Sequence, residues 1–247
     1  MTRGSRLDRL LPKPLSHVAV AEVVELPPVR RRRRRVVAAT AVTGAGLLGA
    51  SLSTPPGSRE FYLSTAAVAG VWTAGGLASG PLHLGWIESR DSTLRRPLVT
   101  PVATGAAAFG LFYGAALVAQ RVPVLGDAVA RVLRFADEGD DRLVLATTLA
   151  NGIGEEVFFR GALYASLGRR HPVATSTAVY TLATATTRNP ALVLAASAMG
   201  TLFGLQRRAS GGLQAPVITH AVWSALMLRF LPPLFRRRAT TRLGPGR

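Results

Sequence analysis

The stretch NGIGEEVFFRGAL, residues 151–163, sets two adjacent carboxylates, Glu155 and Glu156, inside a long apolar segment, with Arg160 four residues after the second. An ionisable side chain at the centre of a membrane helix costs about 2.5–3.5 kcal/mol on insertion scales, so such a cluster needs a reason. On an α-helix Glu156 and Arg160 share a face and can pair. Glu155 points about 100° away, on the face of Asn151 and Phe159. One carboxylate therefore has a cation in reach and the other does not. That division suits Glu155 as a general base, with Glu156 held ionised by Arg160. The same spacing also suits a buried Glu–Arg pair that only fixes helix register, with Glu155 turned to a watery cavity.

A second polar group sits in another apolar block. APVITHAVWSALML, residues 215–228, carries His220, with Ser224 one turn later on the same face. A membrane histidine can simply hydrogen-bond a neighbouring helix. Its depth in the block is nonetheless comparable to that of Glu155, so both can reach one inward-facing cavity. His17, His83 and His171 fall in the tail or near block ends and read as exposed.

The elements that must position these groups follow from composition. The 247-residue chain is 48% hydrophobic, 17% charged and 6% aromatic, with a net charge of +17 and no cysteine. No disulfide framework, thiol nucleophile or thiolate metal site is available. The arginines flank apolar blocks and do not interleave with aromatics, which argues against nucleic acid and for anchors under the positive-inside rule. The apolar blocks are about 16–23 residues long, the length that crosses about 30 Å of hydrocarbon as a helix.

Seven candidate spans follow, at roughly 36–53, 61–80, 98–120, 143–167, 172–187, 190–206 and 213–231. The expected fold is all-α: a polytopic membrane bundle of about seven transmembrane helices, within a range of six to eight. Residues 124–135 alternate apolar and charged positions at helical spacing but are too short to span, and read as an interfacial helix. Residues 1–35 read as a disordered basic cytoplasmic tail, residues 36–142 as variable spans with the interfacial helix, 143–231 as the core and 232–247 as a basic tail. With Arg30–Arg35 placed inside, the loops at 88–97, 168–172 and 206–212 also fall inside, whereas the basic segment 235–242 falls outside, against the rule.

These residues carry a family resemblance. The chain resembles the CAAX prenyl protease type II and bacteriocin-processing (CPBP, or Abi) integral membrane proteins. Their first motif, E-E-x-x-x-R, is met by Glu155, Glu156 and Arg160. The second, an aromatic followed four residues later by histidine, is met by Tyr180 but has Thr184 at the histidine position. The third, H-x-x-x-N or a close variant, is His220 with Ser224 in place of the amide. The resemblance covers about residues 143–231 and implies an intramembrane endopeptidase. By it, Glu155 activates water, His220 and residue 184 position that water or stabilise the oxyanion, and Arg160 orients Glu156.

Family names often class these proteins as metalloproteases, with zinc as the implied divalent metal. A catalytic zinc takes three protein ligands plus water. Glu155, Glu156 and His220 make three only if Glu156 leaves Arg160, because threonine does not replace histidine as a ligand. The ligand count does not support zinc, and the metal is left open. The implied partners are the lipid bilayer and a membrane-anchored, prenylated or bacteriocin-like peptide. Heavy arginine and alanine use points to a bacterium, hence a multi-pass protein of the inner membrane with its N-terminus cytoplasmic. Two other readings stand beside the protease: a catalytically inactive relative that binds a membrane partner, and a proton-coupled transporter using Glu155, which lacks the expected inverted repeat with broken helices.

Overall fold

The computed structural model describes residues 25–168 and 171–242, with side chains as far as Arg236. Residues 1–24 of the tail expected over 1–35, and the last five residues of the basic C-terminus, lie outside the described residues. The described residues are all-α apart from one small ladder. Helix α1 is Pro27–Ser51, α2 Arg59–Ala78, α3 Val99–Ala119 and α4 Pro123–Asp137. A central rod follows, made of α5 Asp141–Glu155, a π-helical segment Glu156–Leu163 and the short α6 Tyr164–Leu167. Helices α7 Pro172–Ala185, α8 Pro190–Ser210 and α9 Gln214–Arg242 complete the bundle.

Local chemistry sets these boundaries. Proline opens α1, α4, α7 and α8, where its missing N–H costs nothing and its fixed φ is already helical. Side-chain caps start α2 (Ser58), α5 (Asp140) and α8 (Asn189) by accepting the first free backbone N–H groups. Gly211, at φ +69°, ends α8 in the left-handed region that glycine enters without strain.

Two tail expectations need correction. The arginine run is not a disordered stretch before the first span. It forms the first turns of α1, and Arg33 is buried there, bonded to Glu25 and to Ser79 at the end of α2. The C-terminal tail does not begin at residue 232 either. Helix α9 continues through Pro232 and Pro233 despite the backbone hydrogen bonds that they forgo, with Leu231 buried in one cluster with Ala116 and Leu133.

Successive rods run end to end in alternating direction. At one end Arg33 meets Ser79, and the segment after α2 docks on the α8–α9 turn through Trp86 N–H to Ser210 (2.8 Å), Leu213 N–H to His83 (2.9 Å) and Gln214 N–H to Leu84 (3.0 Å). This segment holds the ladder, β1 Ile87–Glu88 against β2 Leu94–Arg95. Gly85 (φ +87°) lies so close to Gly212 that neither has room for a side chain. At the opposite end Asn189 bonds the carbonyl of Ala128 in α4 (2.8 Å), and Tyr62 receives the N–H of Asp140 (2.8 Å). Helix α9 finishes at this second end, where Arg236 pairs with Asp137 at 2.7 Å. Arg236 thus meets the last residue of α4, which gives it a local counter-charge.

Among the described residues, three helices are long and apolar enough to cross a membrane by length and composition: Arg59–Ala78, Val99–Ala119 and Gln214–Arg236. The expected count of seven is not reached by this measure. Helix α7 has 14 residues, fewer than the about 20 that a span takes, and the central rod carries Asp141, Arg142, Glu155, Glu156 and Arg160. Large apolar residues such as Val42, Leu111 and Leu182 are at least 70% exposed, an outer surface suited to lipid.

The main core centres on the aromatic residues of the π-helical segment. Phe158 and Phe159 pack on Trp72 with ring centroids 4.7 and 4.9 Å apart, joined by Val37, Val68, Tyr180 and Ala183. Trp72 is fully buried, and α1 can approach it only because residue 44 is glycine. A Cβ there would lie 2.4 Å from the indole ring. Gly44→Ala is expected to destabilise the protein by about 1–3 kcal/mol through overpacking, measured as a lower thermal midpoint in detergent.

Candidate active site

The site is built on the rod where its α-helix becomes π. In a π-helix each N–H bonds the carbonyl five residues back, and such segments are rare and frequently functional. All eight residues of Glu156–Leu163 are buried. The wider turn begins at the second glutamate, so the regular α-helical wheel assumed for residues 155–160 does not hold over this stretch.

Glu156 and Arg160 do pair, at 3.1 Å, and both side chains are completely buried. Burying two charges costs several kcal/mol unless geometry and further hydrogen bonds offset it. The surroundings supply part of those bonds, while Glu156 Oε2 and Arg160 Nε are buried without a partner among the described residues. Arg160 Nη2 donates to the carbonyl of Gly200 in α8 (3.1 Å), and its guanidinium carbon lies 4.7 Å from the Tyr180 ring and 5.1 Å from Phe203. The Arg160 carbonyl accepts from Arg207 Nε at 2.8 Å. Glu156 Oε1 also meets His220 Nδ1 at 3.0 Å. A carboxylate paired with arginine can only accept, so Nδ1 carries the hydrogen and Nε2 is the nitrogen left for chemistry. The imidazole stacks on Phe203 with centroids 4.8 Å apart.

Glu155 is only half-buried. Its Oε2 accepts the Tyr180 hydroxyl at 2.6 Å, and Oε1 has no hydrogen-bond partner among the described residues. His220 is within electrostatic reach of it. The structure thus brings Glu155, Glu156, Arg160 and His220 into one cluster. Span five of the sequence reading (α7) and span seven (α9) both reach the π-helical segment, but α8 packs between them. The histidine lands on Glu156, so the two glutamates differ by more than the arginine.

The three auxiliary candidates do not join the cluster. Thr184 Oγ1 donates to the carbonyl of Tyr180 on its own helix (2.9 Å). Asn151 Nδ2 donates to Thr65 (3.1 Å) and Thr147 (2.8 Å), tying α5 to α2. Ser224 is buried one turn beyond His220, with no bond to either carboxylate. Sequence reasoning named Tyr180 only as a motif aromatic and missed Arg207, Phe203 and Gly200. The one available signal was the phenol itself, a buried hydroxyl that must find a partner.

Residues 142–226 match the family model for type II CAAX prenyl endopeptidase, Rce1-like. Residues 142–226 are an Rce1-like domain. No curated protein and no solved structure matches the chain. The domain coincides with the segment that the E-E-x-x-x-R motif and His220 had marked, and its family is a protease family. Together with the three apolar helices it marks a membrane protein.

The Rce1-like domain does not fit zinc. Glu156 Oε1 already serves both Arg160 and His220, and its Oε2, though buried without a partner among the described residues, does not by itself complete a three-ligand set. Thr184 faces its own backbone. Among the described residues no group of three His, Cys, Asp or Glu side chains is placed to hold a metal ion. The metalloprotease label is therefore not supported.

His220 rests on the backbone of α5 at Gly152, where a Cβ would lie 3.3 Å from Cδ2 and Nε2. Gly152→Val is expected to push the ring off Glu156 at an overpacking cost of about 1–3 kcal/mol. The check is a lower thermal midpoint together with lower activity.

Proposed function

We propose that the protein is an intramembrane endopeptidase in which Glu155 activates the attacking water. The observation that carries this reading is the unequal treatment of the two glutamates. Glu156 is held through Oε1 by both Arg160 and His220, whereas Glu155 is half-buried and, among the described residues, bound only by Tyr180 through one oxygen. Oε1 of Glu155 is then available to water. As water attacks the scissile carbonyl, its oxygen forms the C–O bond and its proton passes to Glu155. Glu155 next delivers that proton to the leaving nitrogen as the C–N bond breaks. His220, oriented by Glu156 through Nδ1–H, leaves Nε2 as an acceptor that holds the attacking water by its second hydrogen.

In this reading the rods make seven bilayer crossings, with the arginine-rich end and the N-terminus cytoplasmic, in a bacterial inner membrane. The substrate is a membrane-anchored chain, of the prenylated or bacteriocin-like kind. The basic residues at the α1 start, near Arg95–Arg96 and at Arg207–Arg208 support that orientation.

A second reading, a non-catalytic relative that binds a membrane partner, is favoured by one observation: the Thr184 hydroxyl is spent on its own helix. The test uses purified protein in proteoliposomes with prenylated and unmodified membrane peptides. Cleavage by the wild type that is lost in Glu155→Ala supports the protease. No cleavage by either, with full cellular function of Glu155→Ala, supports the binder.

A further inference from the structure

We infer that Tyr180 is a positioning residue for Glu155, and that it supplies from α7 the hydrogen bond that Thr184 does not. This deepens the protease reading and rests on it. The two residues are one helical turn apart on α7, yet only the phenol reaches the cluster. Its hydroxyl donates to Glu155 Oε2 at 2.6 Å, while the threonine hydroxyl donates to the carbonyl of Tyr180 itself. Two contacts aim the phenol. The Tyr180 ring packs on Phe159 with centroids 4.8 Å apart, and the Arg160 guanidinium lies 4.7 Å from its centroid. Tyr180 is 8% exposed, so its rotamer is set by packing. A cation over the ring and a carboxylate at the hydroxyl place the phenol between Arg160 and Glu155 and couple the position of the second to that of the first.

The consequence is directional. With Oε2 occupied, the carboxylate plane of Glu155 is set and Oε1 is the oxygen left for water. Tyr180 keeps its own proton throughout: the proton that moves is the water's, to Glu155 and then to the leaving nitrogen. Tyr180 acts through Glu155, in the way that partners behind a ligating or reacting group fix its orientation, a role whose loss costs about 10–100-fold.

Tyr180→Phe tests this, because it keeps the ring, the Phe159 contact and the cation–π contact and removes one oxygen. Two measurements on the full-length protein are needed. The first is steady-state cleavage of a membrane peptide. The second is the rate at which dicyclohexylcarbodiimide, a carboxyl reagent that enters apolar sites, labels Glu155. Mass spectrometry reads the label, with Glu155→Gln as the blank, and no turnover is required. The expected result is a fall in kcat of about 10–100-fold with KM unchanged. Labelling of Glu155, freed of the hydroxyl on Oε2, should be several-fold faster, and the thermal midpoint should stay within about 2 °C. If the wild type cleaves nothing but the labelling rate changes as described, the positioning role stands and the protease reading falls. If the wild type cleaves and Tyr180→Phe alters neither kcat nor labelling, the positioning role falls and the protease reading stands. A large drop in thermal midpoint with labelling unchanged also overturns the proposal, since Tyr180 would then be structural.

Discussion

Replacing Glu155 with glutamine is expected to abolish cleavage while leaving the protein folded. Loss of a positioned general base commonly costs a factor of about 10²–10⁴ in rate. Here the loss falls at the upper end, because the other carboxylate and the α7 hydroxyl are already engaged. Glu156 is committed to Arg160 and His220, and Thr184 to the Tyr180 carbonyl. Stability should barely change. Glutamine is nearly isosteric, its amide oxygen still accepts from Tyr180, and the position is half-buried, so the amide N–H₂ can reach water. Turnover and thermal midpoint measured on the same preparation decide the matter. If the midpoint falls as far as it does for Arg160→Ala, Glu155 is structural and the assigned division of labour is wrong.

Arg160→Ala is expected to be the most destabilising single change at the site. It removes the counter-charge of a carboxylate that is completely buried. It also deletes the donor to Gly200 and vacates the space against Tyr180 and Phe203. Breaking a buried pair from one side costs about 3–5 kcal/mol, on the order of 10 °C in thermal midpoint for a chain of this size. Arg160→Lys separates charge from geometry. Lysine keeps the cation but lacks the planar fork that serves Glu156 and Gly200 together, so its midpoint should lie between those of wild type and Arg160→Ala. Activity should fall in both variants, since His220 takes its orientation from the same Glu156 oxygen.

The sequence by itself determined the chemical inventory and the helical nature of the chain. Glu155, Glu156 and Arg160 announce themselves because charge in an apolar block is costly, and the i, i+4 spacing of Glu156 and Arg160 brings them together without help from the rest of the fold. His220 stands out for the same reason. Apolar block length marked the rods, since it is written in a continuous stretch of chain.

Only the tertiary structure decided how those groups divide the work. The π-helical segment was illegible, because eight residues buried on every side carry no periodic polar face from which a change of helical pitch could be read. The attachment of His220 to Glu156, the phenol on Glu155 and the donor from Arg207 join residues 25–64 positions apart, and no local pattern encodes such contacts. They are set by how α7, α8 and α9 pack around the rod. The ends of the chain show the same limit. The arginine run looked like part of a disordered tail, and residues 232–247 like a basic tail. Burial of Arg33 against Glu25 and Ser79, and of Leu231 against α3 and α4, carries both segments into helices, because packing energy outweighs a local preference wherever a neighbouring element is close enough to supply it.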